Sequence, residues 1–172
     1  STRFGAEDKL RAMIDGVPML TRSAKTLAAC GADQCFAVLR DPAQVELLPA
    51  GVAPLFCQGQ QSDSLRAGLQ AARAAGATQM MIALADMPFV TPGLLRAVAA
   101  ACGPDHPACA AGASGPQPPA CFPASWFDAL SLLQGDRGAG ALLHQDPGVL
   151  LVAAIATELQ DIDLRAQVPP TA

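Results

Sequence analysis

Apolar positions along the chain fall into two rhythms. Residues 35–39 (CFAVL), 80–85 (MMIALA) and 149–155 (VLLVAAI) are almost continuously apolar. Runs this short and this uniform predict strands covered on both faces. Residues 54–57 predict a weaker strand, and residues 108–111 a further one.

Between these runs the spacing turns helical. Over residues 18–29, Met19, Leu20, Ala24, Leu27 and Ala28 share one face, with Gly31 just beyond as a stop. Over residues 63–75, Leu65, Leu69 and Ala72 form a stripe closed by Gly76, and Ser62 or Asp63 is the expected N-cap. Thr91 caps the next helix with Pro92 at its first position, and this helix runs towards Cys102. Residues 125–133 and 138–144 predict two more helices. Strands alternating with helices of this length imply βαβ units, hence an α/β fold with a mostly parallel sheet and ligands at the carboxyl edge of its strands. Residues 104–123, rich in Gly, Pro and Ala, read as one strand flanked by loops. No repeat divides the 172 residues, so a single domain over 1–172 is expected.

Composition narrows the function classes. The net charge of −4, without a basic block, argues against a nucleic-acid partner, which needs clustered Lys and Arg to displace counterions. No apolar run approaches the roughly 18 residues needed to span a bilayer. The opening STRFGAEDKL has no apolar signal-peptide core, and a cytoplasmic protein without a membrane partner is the expectation. The six cysteines form no CxxC pair, and His106 and His144 stand far apart, so a structural zinc site has no support. All six cysteines are expected to be buried and inert.

Four fragments offer chemistry. Arg3, Gly5 and Lys9 lie in an opening segment without apolar periodicity, where a glycine allows close backbone approach and two cations suit an anion; a plain charged terminus is the alternative. In GQQSDSLRAGL, Gln61, Ser62 and Ser64 stand at the start of a helix, whose free N–H groups favour negative charge, although ordinary capping also accounts for one serine. Asp86, in LADMP, follows the most apolar strand, where metal ions and phosphates gather in α/β proteins; a turn or cap is the alternative. Asp161 and Asp163, in LQDIDL, are two residues apart and would share a side of an extended segment, as would two solvated surface acids.

Taken together and in order, TRFGAEDKL, DGVPML, QSDSLRAGL, ADMPFVTPGLL, PPACFPASWFDALSLLQGDRGAGALL and LQDIDL resemble the MobA-like NTP transferase family, most closely its molybdenum cofactor cytidylyltransferase branch. The resemblance covers nearly the whole chain. It implies a three-layer α/β/α fold with a mostly parallel, Rossmann-like sheet of the nucleotide-diphospho-sugar transferase type. It also implies transfer of CMP from CTP to molybdopterin with release of pyrophosphate, Mg²⁺ as cofactor, and a molybdenum hydroxylase as client of the product. On the matching positions, Arg3 and Lys9 would be catalytic, and Gly5, Gln61, Ser62 and Ser64 would bind the nucleotide. Asp136, Arg137 and Gly138 would bind the acceptor, while Asp86, Asp161 and Asp163 would hold the metal. GTP as donor, a sugar or polyol phosphate as acceptor, and a non-catalytic molybdenum cofactor carrier are the alternatives.

Three departures stand out. The family opens with a strand and the loop LAAGxSxRFGxxDKL, whereas Ser1 falls inside that motif, so an upstream segment carrying the strand is expected. Gly140 stands where the family often has Arg, and DIDLRAQ lacks the usual Thr-Pro. The last two fall on acceptor recognition.

Overall fold

A computed structural model describes residues 8–113 and 115–162. It opens with a hairpin of β1 (Met13–Ile14) and β2 (Val17–Pro18), whose turn residues Asp15 and Gly16 both adopt positive φ, 51° and 75°. Asp-Gly supplies that pair of left-handed residues at little steric cost. Helix α1 (Met19–Ala28) follows, and then β3 (Cys35–Leu39) pairs in parallel with β4 (Val52–Phe56). After α2 (Gln61–Ala74) come β5 (Gln79–Ile82), α3 (Pro92–Ala101), β6 (Ala108–Gly112) and β7 (Gly115–Pro123). The described chain closes with α4 (Phe127–Ser131), α5 (Gly140–Leu143) and β8 (Leu150–Ala153).

The fold is α/β with parallel strands. β3 and β4 form one sheet, and a second, four-stranded sheet has the order β5-β7-β6-β8. β7 is antiparallel to both β5 and β6, and β6 is parallel to β8, so β5, β6 and β8 share a direction that β7 opposes. Residues 104–123 therefore hold two strands where the sequence suggests one. Proline hides the second, because a residue without an N–H weakens a ladder. The register shows how β7 tolerates it: Ala110 pairs with Gln117 and Cys109 with Ala120, so Pro118 and Pro119 lie in a bulge where no ladder partner is needed.

Period-2 alternation covers both faces of this sheet. Met80, Ile82, Cys109, Ala120 and Phe122 pack with Leu69 of α2, Phe127 and Leu130 of α4 and Leu143 of α5. Met81, Ala108, Ala110, Cys121 and Val152 point the other way, against Leu94, Leu95 and Val98 of α3. Burying an aromatic such as Phe122, which has no exposed surface, contributes roughly 1.5–3 kcal/mol.

Element boundaries differ from the sequence expectation for identifiable reasons. Helix α2 starts earlier than residue 63 because its N-cap is Gln60, whose backbone N–H donates to the Asp63 carboxylate at 2.7 Å. The helix expected over 125–133 is a 3₁₀ turn, Ala124–Trp126, leading into α4, and the one over 138–144 shortens to α5. Thr91 caps α3 as its sequence suggests, its Oγ1 accepting the Leu94 N–H at 3.2 Å. The cysteines divide: Cys35, Cys109 and Cys121 are buried, whereas Cys30, Cys57 and Cys102 are half-buried, not enclosed as expected. Burial pushes the thiols of Cys35, Cys102, Cys109 and Cys121 above their ordinary pKa, Cys121 the furthest. No helix among the described residues is long and apolar enough to cross a membrane.

Candidate active site

Two clusters gather most of the described candidate residues. The first forms around Asp86, in the loop after β5. Lys9 lies on the 3₁₀ turn Lys9–Arg11, which is capped by Asp8: one carboxylate oxygen accepts the Leu10 N–H at 3.0 Å, and the other accepts from buried Gln44 at 2.7 Å. From this fixed turn the Lys9 ammonium reaches Asp86 Oδ2 at 2.7 Å. The two side chains are 16% and 26% exposed, sheltered enough for the charges to act more strongly on each other than at an open surface.

The backbone of the Asp86 loop is held at three points. Ser23 Oγ of α1 donates to the Ala85 carbonyl at 2.9 Å, and Arg22 Nε donates to the Pro88 carbonyl at 3.0 Å. The third tie brings in the end of the described chain, where the Ile162 N–H donates to the Asp86 carbonyl at 2.9 Å. Arg22 is itself fixed by Asp15 of the hairpin turn and by the Phe89 ring beneath its guanidinium. Under the cluster, Ile14, Met19 and Ile162 are fully buried and pack with Leu10, Ala12 and Phe89. This small core is what brings Lys9, Asp86 and the Asp161–Ile162 segment to one place. Asp161 itself is exposed.

The second cluster joins the start of α2 to the loop between α4 and α5. The Ser62 N–H donates to the Gly135 carbonyl at 3.1 Å, and Arg66 Nη1 donates to the Leu133 carbonyl at 2.7 Å while also pairing with Asp63. Gly138 runs so close to α2 that a Cβ there would lie 2.8 Å from the Gln61 amide. The predicted nucleotide residues Gln61 and Ser62 therefore touch the loop that carries the predicted acceptor residues. Ser62 is buried, Ser64 half-buried, and Asp136 and Arg137 are exposed. An open hollow of about 330 Å³ is lined by Leu132, Leu133, Gln134 and Arg137. A larger one, about 410 Å³, contains none of the predicted residues.

The helix start differs from expectation in one respect. Its first N–H groups have partners within the protein: Ser62 N–H bonds to Gly135, and those of Asp63 and Ser64 to the Gln60 carbonyl. With the Asp63 carboxylate also at this end, the helix terminus offers an anion less than its sequence suggests. Arg3, Gly5 and Asp163 lie outside the described residues.

Arg22, Ser23, Gln60, Arg66 and Ile162 are structural supports that sequence reasoning missed. Arg22, Ser23 and Arg66 lie on helix faces where an Arg or Ser reads as ordinary surface, and Gln60 is the N-cap of α2. Only the Asp-Gly of the hairpin turn carries a local sequence sign, which the resemblance of DGVPML to a family motif overshadowed.

Asp86 suits a hard cation, since Mg²⁺ is commonly held by one or two carboxylates, with waters and substrate phosphates completing its shell. Among the described residues no three His, Cys, Asp or Glu side chains gather into a metal cage, so phosphate oxygens would have to complete the site.

The model of the MobA-like NTP transferase domain matches residues 1–149, most of the chain and every candidate up to Gly138. The chain belongs to the MobA-like NTP transferase family. Its solved relatives in structure include a nucleotidyl transferase from Methanothermobacter thermautotroptrophicus (Mth528), 25% identical, with a TM-score of 0.79 over 92% of this chain and 80% of that one. Rv0371c from Mycobacterium tuberculosis H37Rv is also 25% identical, with a TM-score of 0.81 over 96% of this chain and 88% of that one. A manganese complex of Rv0371c from the same organism aligns at 22% identity and a TM-score of 0.71, over 87% of this chain and 83% of that one. No curated protein sequence matches the chain. Family and fold together make this MobA-like domain a nucleotidyltransferase acting on a nucleotide substrate.

Proposed function

We propose that this nucleotidyltransferase moves CMP from CTP onto molybdopterin and releases pyrophosphate. The observation that carries the reading is the Lys9–Asp86 pair, a cation and a carboxylate fixed together after a sheet strand, within the residues the family model matches.

The reaction needs no dedicated base. A phosphate monoester has its second pKa near about 6, so the acceptor oxygen is already largely ionised at neutral pH. That oxygen forms a new bond to the α-phosphorus of CTP. The α–β phosphoanhydride bond breaks, and its electron pair leaves with pyrophosphate. The obstacle is charge, because two anions must meet. Arg3 and Lys9 neutralise the α-phosphate and the departing pyrophosphate, and the Asp8-capped turn holds Lys9 in place for that task.

Asp86, with Asp161 and Asp163, would hold Mg²⁺, which when bound supplies Lewis-acid neutralisation of the triphosphate. The manganese complex of Rv0371c supports a divalent ion in this fold. On this reading Gly5, Gln61, Ser62 and Ser64 would bind the nucleotide, and Asp136, Arg137 and Gly138 the acceptor. Support for placing donor and acceptor side by side comes from the contact between α2 and the 135–138 loop. The reading places the protein in the cytoplasm, where a molybdenum hydroxylase would receive the product.

Pyrophosphate release with Mg²⁺, molybdopterin and each NTP in turn tests this proposal. Release with CTP alone is expected. Release with GTP alone would overturn the donor, and tight pterin binding without release from any NTP would make the protein a carrier.

A further inference from the structure

Asp136, Arg137 and Gly138 lie on a loop between α4 and α5, helices of only five and four residues. Helices this short hold a loop weakly by themselves. The loop's apolar ends, Leu133 and Ala139, pack into the core that includes Leu69 of α2. Beyond the neighbouring turns, its two polar ties among the described residues both run to α2. The Ser62 N–H donates to the Gly135 carbonyl, and Arg66 Nη1 donates to the Leu133 carbonyl at 2.7 Å.

Of these two ties, only that of Arg66 comes from a side chain, and its guanidinium reaches further. Nη2 pairs with Asp63 Oδ1, while Asp63 Oδ2 accepts the Gln60 N–H at 2.7 Å. The Asp63 carboxylate lies against Gly59, where a Cβ would collide with it, and the Gly59 carbonyl accepts from Arg40 Nη2 at 2.7 Å. Arg40 directly follows β3. One run of contacts therefore joins the end of β3, the first turn of α2 and the loop that follows α4. A planar guanidinium held on two acceptors fixes direction as well as distance, which a single ammonium does not. Leu133, whose carbonyl Arg66 holds, also lines the hollow of about 330 Å³ together with Arg137.

We propose that Arg66 is a positioning residue for the acceptor: it locks the 133–138 loop onto the start of α2 and so sets the bound acceptor against the bound nucleotide. The inference rests on the reading of residues 136–138 as the acceptor loop. Both terminal nitrogens of Arg66 are engaged inside the protein, so its part is to orient the loop, not to hold a phosphate.

Hydrogen exchange on the ligand-free full chain, read by mass spectrometry, is paired with steady-state kinetics using CTP and molybdopterin. Three variants are compared with wild type after circular dichroism and Tm have shown them folded. Arg66→Met keeps the stem and removes the guanidinium, Arg66→Lys keeps one charge, and Asp63→Asn leaves Arg66 in place but weakens its orientation. Amides of residues 133–138 are expected to exchange about tenfold faster in Arg66→Met, with β5 and α3 unchanged. KM for molybdopterin is expected to rise about fivefold or more, and KM for CTP to stay within about twofold. Asp63→Asn is expected to shift both readouts the same way but less, and Arg66→Lys to restore part of the loss. If Arg66→Met does not fold, the other two variants carry the same test. Unchanged loop exchange, or an unchanged KM for molybdopterin, overturns the positioning role and leaves the proposed function intact. A raised KM for CTP alone makes Arg66 a nucleotide-binding residue and likewise overturns it. Wild type without turnover on any NTP overturns the proposed function and takes this inference with it.

Discussion

Lys9 Nζ and Asp86 Oδ2, from residues 77 positions apart, meet at 2.7 Å in the described chain. Ile162 donates to the backbone of the same Asp86, so three distant segments converge on one residue. The expected consequence is a sharp functional dependence on the carboxylate. Asp86→Ala is expected to lower metal-dependent turnover by about 10²-fold or more while leaving the circular dichroism spectrum unchanged. Near-normal turnover would remove Asp86 from its assigned role.

Ser23 acts on the site through the backbone. Its hydroxyl donates to the Ala85 carbonyl, the residue before Asp86, so Ser23→Ala is expected to cost about 1 kcal/mol of stability. Turnover is expected to fall more than the stability loss alone would cause, and Ser23→Thr is expected to restore part of it. Urea unfolding alongside steady-state kinetics distinguishes this positioning role from simple destabilisation.

Gly138 and Gln61 provide a test of the second cluster. A Cβ on residue 138 would meet the far end of the Gln61 side chain, which can swing aside, so Gly138→Ala is expected to fold with little change in Tm. If Gln61 touches the nucleoside, displacing it raises KM for the nucleotide. Adding Gly138→Ala to a Gln61→Ala background should then change KM little further. Full additivity in this double-mutant cycle would separate the two residues functionally.

How much of this was legible in the sequence depends on the kind of interaction. Residues 35–39 announce β3 because five consecutive apolar residues suit a buried strand, and Thr91-Pro92 announces the start of α3. Strand β7 is obscured by its prolines, of which Pro118 and Pro119 are accommodated in the bulge. Asp86 is recognisable from its place after an apolar strand, but its pairing with Lys9 depends on a tertiary core of Ile14, Met19 and Ile162. Ser23 and Arg22 are on α1, where nothing local distinguishes a residue that braces a loop from one that faces water. The partner of the Ser62 N–H was likewise hidden, because Gly135 reaches it from far along the chain.

The buried thiols make stability depend on alkaline pH. Burial raises the folded-state pKa of Cys35, Cys102, Cys109 and Cys121 above the unfolded value. The folded state then holds more protons than the unfolded chain at high pH. Their contribution is complete below the unfolded thiol pKa of about 8.5 and is lost as pH rises towards and through the folded values. Urea midpoints are expected to be level between about pH 7 and 8 and to fall above about pH 9. Cys121→Ala is expected to make that alkaline fall less steep; an identical slope would exclude Cys121 as a contributor.

The central claim is transfer of a nucleotidyl group, and the fate of the α-phosphate tests it most directly. The measurement uses CTP labelled at the α-phosphorus, with Mg²⁺ and molybdopterin, and follows label and pyrophosphate together. Label appearing in the pterin product, in equal amount to the pyrophosphate released and lost in Asp86→Ala, is the predicted result. Label remaining in CTP while the pterin stays bound to the protein would contradict the account.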